Sequence, residues 1–417
     1  MKVVLLASVL AIVAVSSGTC GGASDLSPVL RTPLHPDTTG PSVVNSSAEL
    51  DAAPLIELRQ EWRVGSASSP ASEQFGNVQH MALSPHNELF VLDGTNRVVR
   101  VFDSTGKFLR TFGSRGEGPT EFRFPILIAA SGDTVVVIEG RQFHTFARDG
   151  RGLQTQDYKG IDPKGASVEW VNIRHTAAGW MAITNSQFYD TPPGVPYRDT
   201  LAAMTLSAAT GARSAGRAKF AGPVNYLFGD LGWLRQEYMG SMPRMAINGK
   251  GEFFGTPGSD YKIWVFAPDG TVIRYITGKV NRARVTDAEH KAELATELAK
   301  YTPKGPVREG EDLSLYHMLK DDAPKEGHAE FRPVLGRLFA ADDGSLIVER
   351  LHMASAQEHA DSTRWDLLGA DGRIRGYLLT PPSIRPRIFT GDAIYANMRD
   401  DDNVDSAVKL RLIVPRG

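Results

Sequence analysis

One short pattern recurs through this chain and restricts its fold more than any other feature: a tight polar turn followed by an apolar strand. It occurs as "SPHNELFVLD" (84–93), "ASGDTVVVIE" (130–139), "TAAGWMAIT" (176–184), "NGKGEFFGT" (248–256), "ADDGSLIVE" (341–349) and "TGDAIYAN" (390–397), six copies in all. A second pattern, strand–turn–strand with glycine in the turn, follows most of them. It occurs as "VFDSTGKFLRTFG" (101–113), "TFARDGRGLQT" (145–155), "MTLSAATGARSAG" (204–216), "VFAPDGTVIRYITG" (265–278) and "DLLGADGRIRGYLL" (366–379), five copies. Turn glycines supply the positive φ of tight hairpins, and the flanking Val, Ile, Phe and Leu suit buried strands. Each unit therefore holds four antiparallel strands in roughly 45 residues where no insertion intervenes, the size of one propeller blade.

The sixth unit runs out, because only three residues follow "SAVKLRLIV" (406–414). Its missing outer strand is available at the other end, in "LIELRQEWRVGS" (55–66), and "VGSASSPASEQF" there echoes "FGSRGEGPTEF" after the first blade. Closing a ring with an N-terminal strand (about 55–64) joins both ends and removes exposed sheet edges. The expected fold class is all-β: a six-bladed β-propeller of four-stranded antiparallel blades.

"FGSRGEGPTEFRFPILIAASGDTVVVIEG" and "GNVQHMALSPHNELFVLDGTNRVVRVFDSTGKFLRTFG" resemble the NHL-type repeat of six-bladed propellers, and more narrowly a group of exported bacterial six-bladed propeller lipoproteins. The likeness is close over 76–150 and loose over 240–275 and 331–380. It implies a fold but hardly a function, since related propellers include protein binders, RNA binders, lactonases and lyases.

The chain begins with a lysine and an apolar run from Val3 to Val15, ending in small residues. That run is too short to span a bilayer and has the pattern of a secretory signal, 1–20. The one cysteine, Cys20, follows directly and excludes an intramolecular disulfide. Its position resembles the lipid-attachment cysteine of bacterial lipoproteins; ordinary signal cleavage and an uncleaved apolar segment are the alternatives. The expected location is therefore the bacterial cell envelope, held to a membrane by a lipid anchor, or otherwise periplasmic or secreted. Residues 21–54, rich in Gly, Ser, Pro and Thr, read as a flexible tether, leaving 55–417 for the propeller. With 46 basic against 48 acidic residues the chain offers no basic surface for a nucleic-acid partner. A monomer is expected.

With strands lettered a to d from the centre outward, every a–b and c–d turn is short. Every long segment (113–124, 155–169, 185–199, 216–241, 278–332, 350–363 and 399–405) is a b–c or d–a connection. All elaboration thus falls on one face, around one end of the central channel, and loops on a rigid scaffold usually carry function. The largest insertion holds helical pattern at about 284–325: Thr286 with Glu289 makes a capping box, and Leu294, Leu298 and Tyr301 share one face. "GEDLSLYHMLKDD" is a second short helix candidate; periodicity leaves open whether the insertion is a structural cap or a lid. Phe188, Tyr189, Tyr197, Tyr226, Phe228, Trp233 and Tyr238 crowd two of the loops, where a local core is favoured over ligand contact.

Aligning the blades places His80, Ile126, Val171, Arg244, Arg337 and Ile384 at corresponding positions at the channel mouth. Two arginines and a histidine favour an anionic group, carboxylate or phosphate. The alternative is that they pair with acids such as Asp93 or Glu139. Arg115 and Glu117 lie on the same face, and with His80, Glu139, Arg244 and Arg337 they make up the candidate ligand site. Their glycine-rich loop is no phosphate cradle, because Pro119 and an extended apolar segment follow it instead of a helix. No catalytic residue is nominated: no HExxH, GxSxG or Walker motif occurs, and whether the chain is an enzyme stays open. Binding of a protein partner or small anionic ligand, with no cofactor, is the expected function. The alternative is a metal-dependent hydrolase or lyase using calcium or zinc, with His80, Asp93, Glu139 and Asn185 as weak ligand candidates and His352 and Asn397 at a similar level. His144 and His175 read as core or rim histidines.

Overall fold

The computed structural model describes residues 40–140, 142–157, 167–187, 195–206, 218–228, 233–303, 313–351 and 361–414. Six antiparallel sheets follow one another along the chain. Their inner strands are Val78–Leu83, Leu127–Ala130, Ser167–Thr176, Arg244–Ile247, Leu335–Ala340 and Ile384–Phe389. In blade six the outer position is taken by Glu57–Val64, which pairs antiparallel with Asp405–Ile413, Leu58 opposite Leu412 and Gln60 opposite Leu410. The N-terminal strand closes the ring as expected.

The near-continuous apolar character of the middle strands has a direct cause. Side chains of a strand alternate in direction, and in a blade both faces are covered by neighbours. In Leu89–Asp93, Phe90 and Leu92 enter the core between blades one and two, while Leu89 and Val91 enter the core between blades six and one. In blade five Leu346 and Val348 face blade four, and Ile347 faces blade six. Each of the six blade junctions has such a core.

The echo between the first two connections is one device used twice. Gly113 (φ 78°) and Gly65 (φ 83°) adopt backbone that L side chains rarely take. A Cβ on Gly113 would collide with the ring of Phe122, and one on Gly65 with that of Phe75. Both phenylalanines plug the junctions beneath these turns. In the Gly116–Gly118 stretch the Glu121 carboxylate accepts the Gly118 N–H at 2.8 Å, so this loop is braced from inside.

The structure departs from expectation in three places. Residues 42–51, within the stretch read as tether, are docked: Ser42–Asn45 adds a parallel strand to the outer strand of blade four, Val272–Gly278. A short helix, Ser47–Asp51, follows with a capping box of Ser46 and Glu49 and with Leu50 in the core between blades four and five. Together with Ile56, whose N–H donates to Tyr377 O, this arm straps blades four, five and six. In blade three the outer strand runs Ala218–Phe228, and Trp233–Gln236 pairs with it as a fifth strand, where 216–241 reads as loop in the sequence. Finally, Tyr301 is 46% exposed rather than buried on its helix face.

The insertion after blade four forms helix Asp287–Tyr301, capped by Thr286 and Glu289, then Ser314–His317 continuing into a wider turn, Met318–Asp322. Leu294 and Leu298 pack with Met318 and Leu319 on Tyr226 and Phe228, at the raised end of blade three. Arg235 is held by Glu326 (Nε–Oε2 2.6 Å) and Glu297, and Tyr238 stacks on His290 at 5.0 Å. The aromatics of this connection thus serve a local core. Tyr197 is buried, Phe188 and Tyr189 lie outside the described residues, and so does the Trp233 side chain.

Candidate anion site at the channel mouth

Arg174, in the inner strand of blade three, fixes the levels in the channel. Its Nη1 donates to the carbonyls of Ile247 (2.8 Å) and Ala340 (3.4 Å), and its Nη2 to Asp342 Oδ1 (2.5 Å). Ile247 and Ala340 close the inner strands of blades four and five at the face of short turns. Arg244 and Arg337 each stand three residues before them, at one level nearer the elaborated face. His80 has the same spacing from Leu83, the last residue of its strand. Its Nδ1 lies 3.2 Å from Ile128 O on the inner strand of blade two. Arg387, beside a register shift between Pro386 and Ile388, brings blade six into the same group.

Three guanidinium groups and an imidazole thus occupy the mouth. Arg337 is forked onto Glu349 (Nε–Oε2 2.9 Å, Nη2–Oε1 3.1 Å) and covers the Trp365 ring at 4.9 Å. Arg244 and Arg387 have no such partner: the Nε of each is buried without a hydrogen bond among the described residues. Arg244 offers Nη2 only to Met242 sulfur, at 3.7 Å. Burial lowers the affinity of both for their protons, and the charge of Arg337 adds to it; Glu349 opposes the shift at Arg244 and Asp405 at Arg387. Asp405 is itself engaged, by Val78 N–H at 2.8 Å and Arg399 Nε at 2.7 Å. Burial alone would raise Glu349, but Arg337 and Arg244 hold it below the usual carboxylate range. Burial and the neighbouring charge of Arg387 push His80 down to about 4, against the effect of Ile128 O, so the imidazole is neutral at pH 7.

The remaining candidates lie elsewhere. Asp93 accepts from Gly76 N, Asn77 N, Asn96 and Arg100, and Glu139 accepts from Arg123 N and Phe124 N. Both carboxylates close the backbone where the chain enters an inner strand, and Glu349 does the same to Arg337 N–H at 2.9 Å. His144 pairs with Glu139 (3.7 Å) and Thr155 (3.1 Å) against the Phe122 ring, and His175 packs edge-on to Trp180. Asn185 sits in a middle strand between Glu169 and Leu201, and Asn397 is buried opposite Arg385. No group of three or more His, Cys, Asp or Glu side chains among the described residues is placed to hold a metal ion. Arg115 and Glu117 are exposed on the rim, Glu117 paired with Arg123. Cys20 and His352 lie outside the described residues.

Arg387, Arg174 and Glu349 are absent from the sequence-derived site. The bulge at Pro386 displaces Arg387 from the position the alignment gives Ile384, and Arg174 lies three residues beyond Val171, at the other end of the channel. The run "SIRPRIF", with two arginines in a strand expected to be apolar, is the clue.

A sequence profile for a family described as a 6-bladed β-propeller matches residues 72–140. The fold is a six-bladed β-propeller. A member of the DUF4221 family from Bacteroides vulgatus resembles this propeller with a TM-score of 0.50 and 10% identity, over 88% of this chain and 100% of that one. A protein of Bacteroides fragilis described as exported does so at 0.46 and 12%, over 91% and 100%. A virginiamycin B lyase from Staphylococcus aureus does so at 0.39 and 11%, over 86% and 100%. At such identities these propellers share architecture alone. A search of curated proteins finds no match.

Proposed function

We propose that the protein is an exported propeller that binds an anionic ligand, a carboxylate or phosphate, at the mouth of its channel on the elaborated face. The observation that carries this reading is a pair of half-buried arginines, Arg244 and Arg387, whose buried Nε groups have no hydrogen-bond partner among the described residues. A buried donor without a partner costs stability, and guanidinium donors are suited to forked contacts with carboxylate or phosphate. The surrounding electrostatics agree: Glu349 offsets Arg244 and Arg337, while Asp405, the acid that acts on Arg387, is already engaged by Val78 N–H and Arg399.

Export is supported by the apolar leader ahead of Cys20. A lipid anchor at Cys20 goes with it; Cys20→Ser should then release the protein from membranes. Calorimetric titration with succinate tests the binding reading. Arg244→Met with Arg387→Met should weaken the dissociation constant at least about tenfold, the effect of one charged hydrogen bond. Unchanged affinity in a folded double variant would overturn it.

A further inference from the structure

Resting on that reading and on its lipid anchor, we infer that the ring is held with its short-turn face toward the anchoring membrane, so that the channel mouth opens away from it and takes its anion from the aqueous side. The place where the arm meets the ring carries this. Ser42–Asn45 runs parallel to Val272–Gly278, and that strand starts where the short turn 267–271 of blade four ends. Gly40 therefore lies at the short-turn end: a Cβ on it would stand 3.9 Å from the Val272 side chain, and Pro41 O accepts the Tyr275 N–H at 3.1 Å. The corresponding turn of blade five, 369–373, holds the arm at the same level. Arg373 Nη1 donates to Val44 O at 2.6 Å, Asn45 Nδ2 donates to Gly372 O at 3.1 Å, and Asn45 Oδ1 accepts the Ile374 N–H at 3.0 Å. Asn45 is fully buried with its amide bonded through both atoms, which fixes the register of the arm. The chain ahead of Gly40 thus joins the ring at the end opposite the mouth.

Length makes this point of entry matter. Residues 21–39 separate Cys20 from Gly40, and a coil of that many residues spans about 25 Å. A ten-residue inner strand such as Ser167–Thr176 is roughly 33 Å long, the height of the ring at blade three. To face the bilayer, the mouth would need the connecting chain drawn out along the side of the ring; the short-turn face needs no such extension. By docking residues 42–51, the arm shortens the free leash that 21–54 would otherwise provide.

Energy transfer from the protein to the bilayer provides the test. Cys20 is the one cysteine of the chain, and a lipid on its sulfur leaves an introduced cysteine as the one thiol open to a fluorophore. Lys250→Cys labels the short-turn face and Glu117→Cys the opposite rim, both at exposed positions. In the acylated full chain, reconstituted into vesicles whose lipid headgroups carry an energy acceptor, transfer from position 250 should exceed that from position 117 by at least about twofold, as expected for sites separated by the height of the ring. Equal transfer, or more from position 117, would overturn the inference and leave the anion site standing. A chain that carries no lipid at Cys20 and does not associate with vesicles would overturn the anchor and this inference together. A Gly/Ser linker of about forty residues inserted within 21–39 should erase the difference, because the coil then outreaches the ring. A difference that survives the insertion would overturn the leash as its cause.

Discussion

The two ends of the channel hold the same residue type under opposite conditions. At the end with short turns, Arg174 spends its guanidinium on two carbonyls and Asp342, tying blade three to blades four and five. At the end with long loops, Arg244 and Arg387 are half-buried, and the buried Nε of each has no hydrogen-bond partner among the described residues. Burial lowers the proton affinity of all three, so desolvation does not separate them. What separates them is hydrogen bonding. An arginine whose donors close carbonyls contributes to the fold. One left without partners is a cost that the acceptor oxygens of a bound anion would offset.

The contrast is broken most forcefully at Arg174. Arg174→Met should destabilise the protein by about 3 kcal/mol, because buried carbonyls lose their donor and three blades lose a common tie. Chemical denaturation reads this directly; a loss below about 1 kcal/mol would place Arg174 with the arginines of the mouth. Glu349→Leu comes next. It leaves Arg337, 38% exposed, beside Arg244 without a counter-charge, and should cost about 1 kcal/mol while raising affinity for succinate, since an internal competitor is gone. Stability lost with no gain in affinity would mean that Arg337 takes no part in anion binding.

The ring was legible in the sequence because its cause is local: alternating side chains and turn glycines repeat in every blade, and the missing strand of blade six has its counterpart at 57–64. The strap was not. "SVVNSSAELD" carries a capping box, but its strand pairs with residues 272–278 and its Leu50 is buried by blades four and five, contacts that only the closed ring creates. The candidate site was half legible for the same reason. His80, Arg244 and Arg337 keep the strand spacing. Arg387 does not, because a bulge shifts its strand at Pro386. No sequence pattern distinguishes an arginine with partners from one without, as Arg174 and Arg387 show.

Smaller effects sharpen the comparison. Arg244→Met should leave stability unchanged or raise it by about 1 kcal/mol, since an apolar side chain replaces a charge that lacks partners. Thermal unfolding with and without succinate gives both halves of that statement. A clear destabilisation would mean that Arg244 serves the fold as Arg174 does.

His80 links the mouth to pH. Its ordinary value is 6.5 and its folded value is about 4, so the unfolded chain binds the extra proton first. The neutral imidazole is fully accommodated above about pH 6.5, and its contribution is lost progressively as pH falls toward about 4, below which both states are charged. Stability should therefore decline across that window, and His80→Gln should flatten this part of the profile. An unchanged slope in the variant would assign the proton uptake to other groups.

The smallest effect belongs to the rim. Glu117 and Arg123 pair at 3.1 Å with side chains 77% and 56% exposed, where water and salt screen the attraction. Glu117→Ala should alter stability by less than about 0.5 kcal/mol. Its influence on succinate binding should be confined to association rate at low salt, where removing a negative charge near a cationic mouth speeds approach. The effect should vanish as ionic strength approaches physiological values, because the charge lies in water and not in the channel wall. A change in affinity that survives high salt would extend the site from the ring of arginines outward to the glycine loop.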